Sequence, residues 1–205
     1  MKNQTIRKKI GGFCAILLLA SALCAAEPTT YWAESKGSKV TVAGDSTIHE
    51  WTVEANLIGG TMKLDSSFPL DGKTSDVKVV PTVNVIIPVR SLKSDKEKMD
   101  NVMMQAMKQE DSKNKYIKYV LTTMTPKAGK PMEYDTTGKL TVSGVTKTIS
   151  MPVKLQPMEG GKKVKVTGSV SMKMTDFKIT PPVLLGLLSV ADDIKVSFEW
   201  MTAQK

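Results

Sequence analysis

The chain is poor in the residues that most enzyme chemistry draws on. Its 205 residues hold two cysteines and one histidine, and aromatic residues make up 5%. Both cysteines, Cys14 and Cys24, fall within the first 26 residues. The remainder therefore has no disulfide, no thiol nucleophile and no thiolate metal ligand. His49 alone, with no cysteine beside it, falls short of the donors a zinc site needs. No Gly-x-Ser-x-Gly elbow, phosphate-cradling glycine loop or EF-hand spacing occurs. Few aromatics are available to stack on nucleobases, and the lysines are scattered rather than clustered, so nucleic acid is not an expected partner.

What is present begins at the N-terminus. Lys2, Arg7, Lys8 and Lys9 form a basic start without an acidic residue. An apolar run from Ile10 to Ala26 follows, closed by the small residues Cys24-Ala25-Ala26. Basic start, short apolar middle and small-residue end are the three parts of a secretory signal peptide, and the run is short for a membrane span. Cleavage after Ala26 is expected, leaving residues 27–205 as one domain in the periplasm or the medium. An uncleaved anchor and a lipid on Cys24 are the alternatives. Leu23 stands against the second, because lipoprotein processing wants a small residue there.

Loss of this segment would remove four of the 29 basic residues and none of the 20 acidic ones, leaving a net charge of +5. That charge allows weak attraction to anionic membrane surfaces. The lysines otherwise read as solvated strand faces.

The dominant pattern has a period of two. It runs through Lys39–Val42, Trp51–Leu57, Val83–Ile87 (ended by Pro88), Tyr119–Thr122, Lys139–Val142, Thr148–Leu155, Lys163–Thr167, Ser169–Met174 and Ile194–Trp200. Alternation places one set of side chains inside and the other in water. Eight or more such runs predict an all-β antiparallel sandwich or barrel. Pro152 inside a run suggests an edge or a bulge. Ser143-Gly144 and Glu159–Lys162 read as hairpin turns, with Asp71-Gly72 and Thr137-Gly138 as further breaks.

Between Ser94 and Asn114 the alternation stops. Met99, Val102, Met103, Ala106 and Met107 share one helical face, and Ser94 or Asp95 is a candidate cap. The apolar Val183–Leu188 segment reads as a loop or a helical turn dipping inward.

Ser46 lies close to His49, but a structural histidine at a strand start is the simpler reading. Asp192-Asp193 suits a turn before the last strand, since neighbours on a strand face opposite ways. Of 13 methionines, 12 lie beyond residue 26. Their flexible, polarizable side chains adapt to irregular apolar shapes, and an eight-stranded barrel is just wide enough to be filled or to hold one ligand.

The order of landmarks resembles the YceI-like family of exported lipid-binding barrels. The carriers are Ser46-Thr47-Ile48-His49-Glu50-Trp51; Ile87–Leu92 with Asp100; Tyr116-Ile117-Lys118-Tyr119; Gly138–Lys147; and Lys173–Ile179 with Asp192–Val196. Gly138-Lys139-Leu140-Thr141-Val142-Ser143-Gly144-Val145-Thr146-Lys147 is the most specific of them. Lys178 departs from the usual glycine, and the usual proline near Lys118 is missing. The resemblance spans roughly residues 35–200 and implies an extended lipocalin-like antiparallel eight-stranded β-barrel with one inserted amphipathic helix near the mouth. It also implies an elongated channel for isoprenoid or fatty-acid-like chains. The inward residues expected to line that channel are Val53, Val85, Met103, Met107, Leu140, Val142, Met151, Val170, Met172, Phe177, Leu185, Val196 and Phe198. A register error of one would exchange a whole strand's set. No catalytic residue, metal or cofactor other than a bound lipid such as a polyisoprenoid is expected. A barrel with a packed interior, serving structure or protein interaction, and a hydrolase using His49 are the rival readings. A homodimer is left open.

Overall fold

The computed structural model describes residues 27–71, 77–184 and 188–205. The leader expected over residues 1–26, with Cys14 and Cys24, lies outside the described residues, as do Gly72 and Leu185. The strands are β1 (Thr29–Ala33), β2 (Lys39–Ser46), β3 (Trp51–Ala55), β4 (Gly59–Leu64), β5 (Thr82–Pro88), β6 (Tyr116–Pro126), β7 (Glu133–Val142), β8 (Val145–Met158), β9 (Lys163–Lys173), β10 (Val183–Leu184) and β11 (Leu188–Gln204). Among the described residues, one α-helix, α1 (Glu97–Ala106), stands between β5 and β6.

Every pairing among them is antiparallel, and the order β1-β4-β5-β6-β7-β8-β9-β11 closes through a β1–β11 pairing. This is an eight-stranded barrel. The short strands β2 and β3 extend two of its staves. β11 pairs with β1 through Thr202–Gln204 and with β2 from Glu199 back to Val190. β3 in turn pairs with β2, and its Glu54 exchanges backbone hydrogen bonds with Lys93 at 2.7 and 2.8 Å. The sequence breaks between β1 and β2 and between β3 and β4 are thus kinks within staves, not corners of a second sheet.

Alternation decides which face turns inward. On β8, Met151, Val153 and Leu155 are buried while Pro152, Lys154 and Gln156 are exposed. Pro152, with no N–H to give, sits where the ladder to β9 ends at Val153, an edge-like place inside a closed barrel. Ser143-Gly144 forms a two-residue hairpin between Val142 and Val145, with φ of 47° and 74°. Positive φ at both central residues is the type I′ pattern that matches strand twist. Glu159–Lys162 links β8 to β9 as expected.

Several local expectations are corrected. Thr137-Gly138 is not a break: both lie inside β7. A Cβ on Gly138 would stand 2.4 Å from the Tyr119 ring, so the glycine makes room for an aromatic instead of turning the chain. Ser94 and Asp95 do not cap α1. The cap position is Lys96 and makes no side-chain bond, because the Ser94 hydroxyl is given to Asp100 instead. The helix has 10 residues, somewhat under three turns. The two runs across residues 163–173 are one strand. The Val183–Leu188 segment is neither loop nor helix where it is described: Val183 and Leu184 pair with Ser189 and Leu188 as a hairpin, and Val183 is exposed. Asp192 and Asp193 lie within β11, in the irregularity where the register with β2 shifts between Val190 and Ile194.

The interior has two packed ends. One holds Tyr31, Met62, Leu64, Phe68, Tyr134, Leu155, Val164 and Trp200. The other holds Val53, Val89, Leu92, Met107, Val142, Phe177 and Ile179, with half-buried Met99, Met103 and Met104 of α1 packed against them. Among the described residues no helix is long and apolar enough to cross a membrane.

Candidate functional site

Between the two packed ends runs a cavity of about 860 Å³. That is near the upper end of the range for small-molecule sites. Its walls come from every long strand, and the side chains are almost all apolar. Val85, Met151, Val170, Val196 and Phe198 line it and pack with the floor cluster around Trp200. Val53, Met103, Met107, Leu140, Val142, Met172 and Phe177 line it and pack with the cluster under α1. The expected lining residues therefore all border this one cavity, from different sides of the barrel, except Leu185, which lies outside the described residues.

Further wall residues escaped the sequence reading. Ile149, Val153 and Leu155 share the parity of Met151 on β8, and Trp200 shares that of Val196 and Phe198. Strand parity alone was a sufficient signal for these. Met62 had none, since Gly59-Gly60-Thr61-Met62 does not look like a strand.

Aromatic side chains enter the interior over glycines. Phe198 lies directly across from Gly168, where a Cβ would meet its ring at 2.6 Å, and Tyr119 crosses Gly138. A sheet glycine leaves a gap in the wall that a neighbouring ring fills.

The helix end is held by polar contacts. Asp100 of α1 is buried, and its Oδ1 accepts from the Ser94 backbone N at 2.7 Å and from Ser94 Oγ at 2.8 Å. Lys93 Nζ approaches its Oδ2 at 3.3 Å. Burial pushes the carboxyl up, but the bonds from Ser94 and the Lys93 charge outweigh it and hold Asp100 below the usual carboxylate range. Opposite the helix, Asp192 accepts from Thr175 N at 2.9 Å and Thr175 Oγ1 at 2.6 Å. Those two bonds, the hydroxyl's first, hold its pKa low and fix the turn that carries Phe177.

Polar lining residues at this end are Ser46, His49, Lys96, Lys98 and Asn101. His49 is exposed, and its Nδ1 lies 2.9 Å from the Glu50 carbonyl oxygen. Ser46 Oγ donates to the backbone oxygen of His49 at 2.7 Å, not to its ring. A serine activated by a histidine needs the hydroxyl on the imidazole, so this pair builds a strand connection. Among the described residues no group of three or more His, Cys, Asp or Glu is placed to hold a metal ion.

A closed antiparallel barrel with a roomy apolar interior and a helix across one end has the architecture of the extended, lipocalin-like barrels. The YceI-like domain model matches residues 31–201, and the chain belongs to that family. Among solved structures, BcnA of Burkholderia cenocepacia is similar with a TM-score of 0.66 at 17% identity, over 82% of this chain and 98% of that one. A polyisoprenoid binding domain from Saccharophagus degradans, implicated in plant cell wall breakdown, has a TM-score of 0.64 at 11% identity, over 86% and 99%. The Campylobacter jejuni YceI protein has a TM-score of 0.56 at 19% identity, over 75% and 84%. At these identities the likeness shows the fold. A comparison with curated proteins finds no match.

Proposed function

We propose that this protein binds a long-chain apolar lipid, an isoprenoid or a fatty-acid-like molecule, inside the barrel and does not transform it. The observation that carries the reading is the apolar cavity of about 860 Å³ within a closed sheet. Each CH₂ buried there is worth about 0.8 kcal/mol before ordering costs. The polyisoprenoid-binding description of the Saccharophagus degradans domain supports the same ligand class. With a leader over residues 1–26, the protein would carry, store or sense such a lipid in the cell envelope, in the periplasm or outside it.

Native mass spectrometry of protein purified from its own compartment tests this, together with uptake from a panel of quinones, isoprenoids and fatty acids. A bound or acquired lipid is expected, and Val170→Trp, which puts an indole into the path of the chain, is expected to weaken uptake. Failure to carry or acquire any of the panel overturns the reading and favours a barrel serving structure alone. His49→Ala is expected to leave uptake unchanged; loss of a turnover activity in that variant would favour the hydrolase.

A further inference from the structure

Among the described residues, two buried side-chain polar atoms in this apolar interior have no hydrogen-bond partner. Trp200 Nε1 and Tyr119 Oη are buried and make no hydrogen bond. Both residues line the cavity. Trp200 is only 3% exposed. The contrast with another indole is direct: Trp51 Nε1 donates to the Asp45 carbonyl oxygen at 3.1 Å. Tyr119 stands beside Thr136, whose hydroxyl donates to the Met151 carbonyl oxygen at 2.8 Å and keeps lone pairs able to accept, so Trp200 is the stricter case of the two. Burial raises the Tyr119 phenol above its ordinary pKa, so at neutral pH it is a neutral donor. A buried donor without an acceptor is costly, and such groups in native proteins call for an explanation.

Topology places the two donors purposefully. In the closed order of eight strands, β6 and β11 are four apart in either direction, so Tyr119 and Trp200 stand on opposite walls. Both belong with the floor cluster and not with the cluster under α1. From Val190, a lining residue on the same strand near α1's end, Trp200 is ten residues away, about 33 Å of extended chain. The charged side chains of the lining, Lys96 and Lys98, lie on or beside α1 at the other end. An anionic group at depth would meet no cation among the described lining residues.

We propose that the floor of the cavity recognises a neutral hydrogen-bond-accepting oxygen, a ketone, quinone, ester, amide or ether oxygen, which Trp200 Nε1–H and the Tyr119 hydroxyl receive from opposite walls. The inference rests on the lipid-binding reading and sharpens it: the ligand enters with an uncharged oxygen leading, and any charged group stays near Lys96 and Lys98. Trp200, which can only donate, selects an acceptor; Tyr119 can serve the same oxygen or a second one.

The test compares octadecan-2-one with octadecane, each offered to delipidated full-length protein. The ketone is expected to bind about five- to tenfold tighter, the ratio one net hydrogen bond supplies. Trp200→Phe is expected to bind octadecane as before and to lose most of the preference, with Tyr119→Phe losing part of it. In ¹⁵N spectra of the unsubstituted protein, the indole N–H resonance of Trp200 should move downfield with the ketone and not with octadecane. That readout stands even if Trp200→Phe fails to fold. Equal binding of the two ligands, or an unmoved indole resonance on ketone binding, overturns the proposal while leaving lipid binding intact. Binding of neither, nor of any lipid in the wider panel, overturns lipid binding and this proposal with it.

Discussion

The two ends of the barrel are closed in different ways. At the floor, Tyr31, Leu64, Tyr134 and Val164 are at most 1% exposed, and a chain of contacts ties distant segments together. Tyr31 Oη donates to the Gly161 carbonyl oxygen at 2.6 Å and accepts from Gln204 Nε2 at 2.8 Å. At the other end, α1 covers the interior mainly with half-buried methionines and is fastened at its start through Asp100. Close packing favours one arrangement, whereas half-buried methionine tolerates several. The difference separates a part that holds the barrel together from a part able to adapt to what the barrel contains.

The largest expected effect breaks the floor. Leu64→Ala should destabilise the protein by about 2–5 kcal/mol, measured by denaturant unfolding, whereas Met103→Ala under the helix should cost less, about 1 kcal/mol, since its side chain is already partly exposed. Equal losses would erase the distinction between the ends. Gly138→Ala tests the wall between them. Its new methyl group would overlap the Tyr119 ring, and a loss of about 1–3 kcal/mol is expected. In Tyr119→Ala the same glycine substitution should cost much less, a non-additivity that a double-mutant cycle reads directly.

Next in size is Asp100→Asn, expected to cost about 1–2 kcal/mol at neutral pH through weaker bonds to Ser94. Its pH dependence has a definite sign. The folded carboxyl titrates below its unfolded value near 3.8, so its stabilisation is complete above that value and is lost as pH falls through the folded pKa. Unsubstituted protein should therefore lose more stability than Asp100→Asn on acidification below pH of about 4, seen as converging melting temperatures. The smallest effect belongs to the outer surface. Lys165 and Glu199 pair across β9 and β11, both substantially solvated, and Lys165→Ala should cost between about 0 and 1 kcal/mol.

How much of this was legible in the sequence depended on how evenly a segment alternates. β8 and the later part of β11 alternate without interruption, and both were plain. Met151, Val196 and Phe198 face the cavity. β4 was hidden because Gly59-Gly60 supplies no side chains to alternate. β7 looked divided because glycine within a strand resembles glycine in a turn; only the position of Tyr119 on the neighbouring strand tells them apart. The helix showed itself through Met99, Met103 and Met107, but its cap did not, since Ser94 serves a carboxylate six residues on rather than the helix N-terminus. Trp200 as a donor without an acceptor had no signature in the sequence at all. An indole's partner is a matter of three-dimensional neighbours.

β11 has a consequence for the order in which the molecule can be assembled. Its 17 residues pair with β1, β2, β9 and β10, and the Gln204–Tyr31 bond joins positions 173 apart. A chain emerging from its N-terminus presents β1 and β2 long before the strand that closes on them exists. Those early segments must wait with open edges until the last residues arrive. Ring closure is then a late and slow event, and a chain cut short before Leu188 would be a curled sheet with two free edges instead of a container.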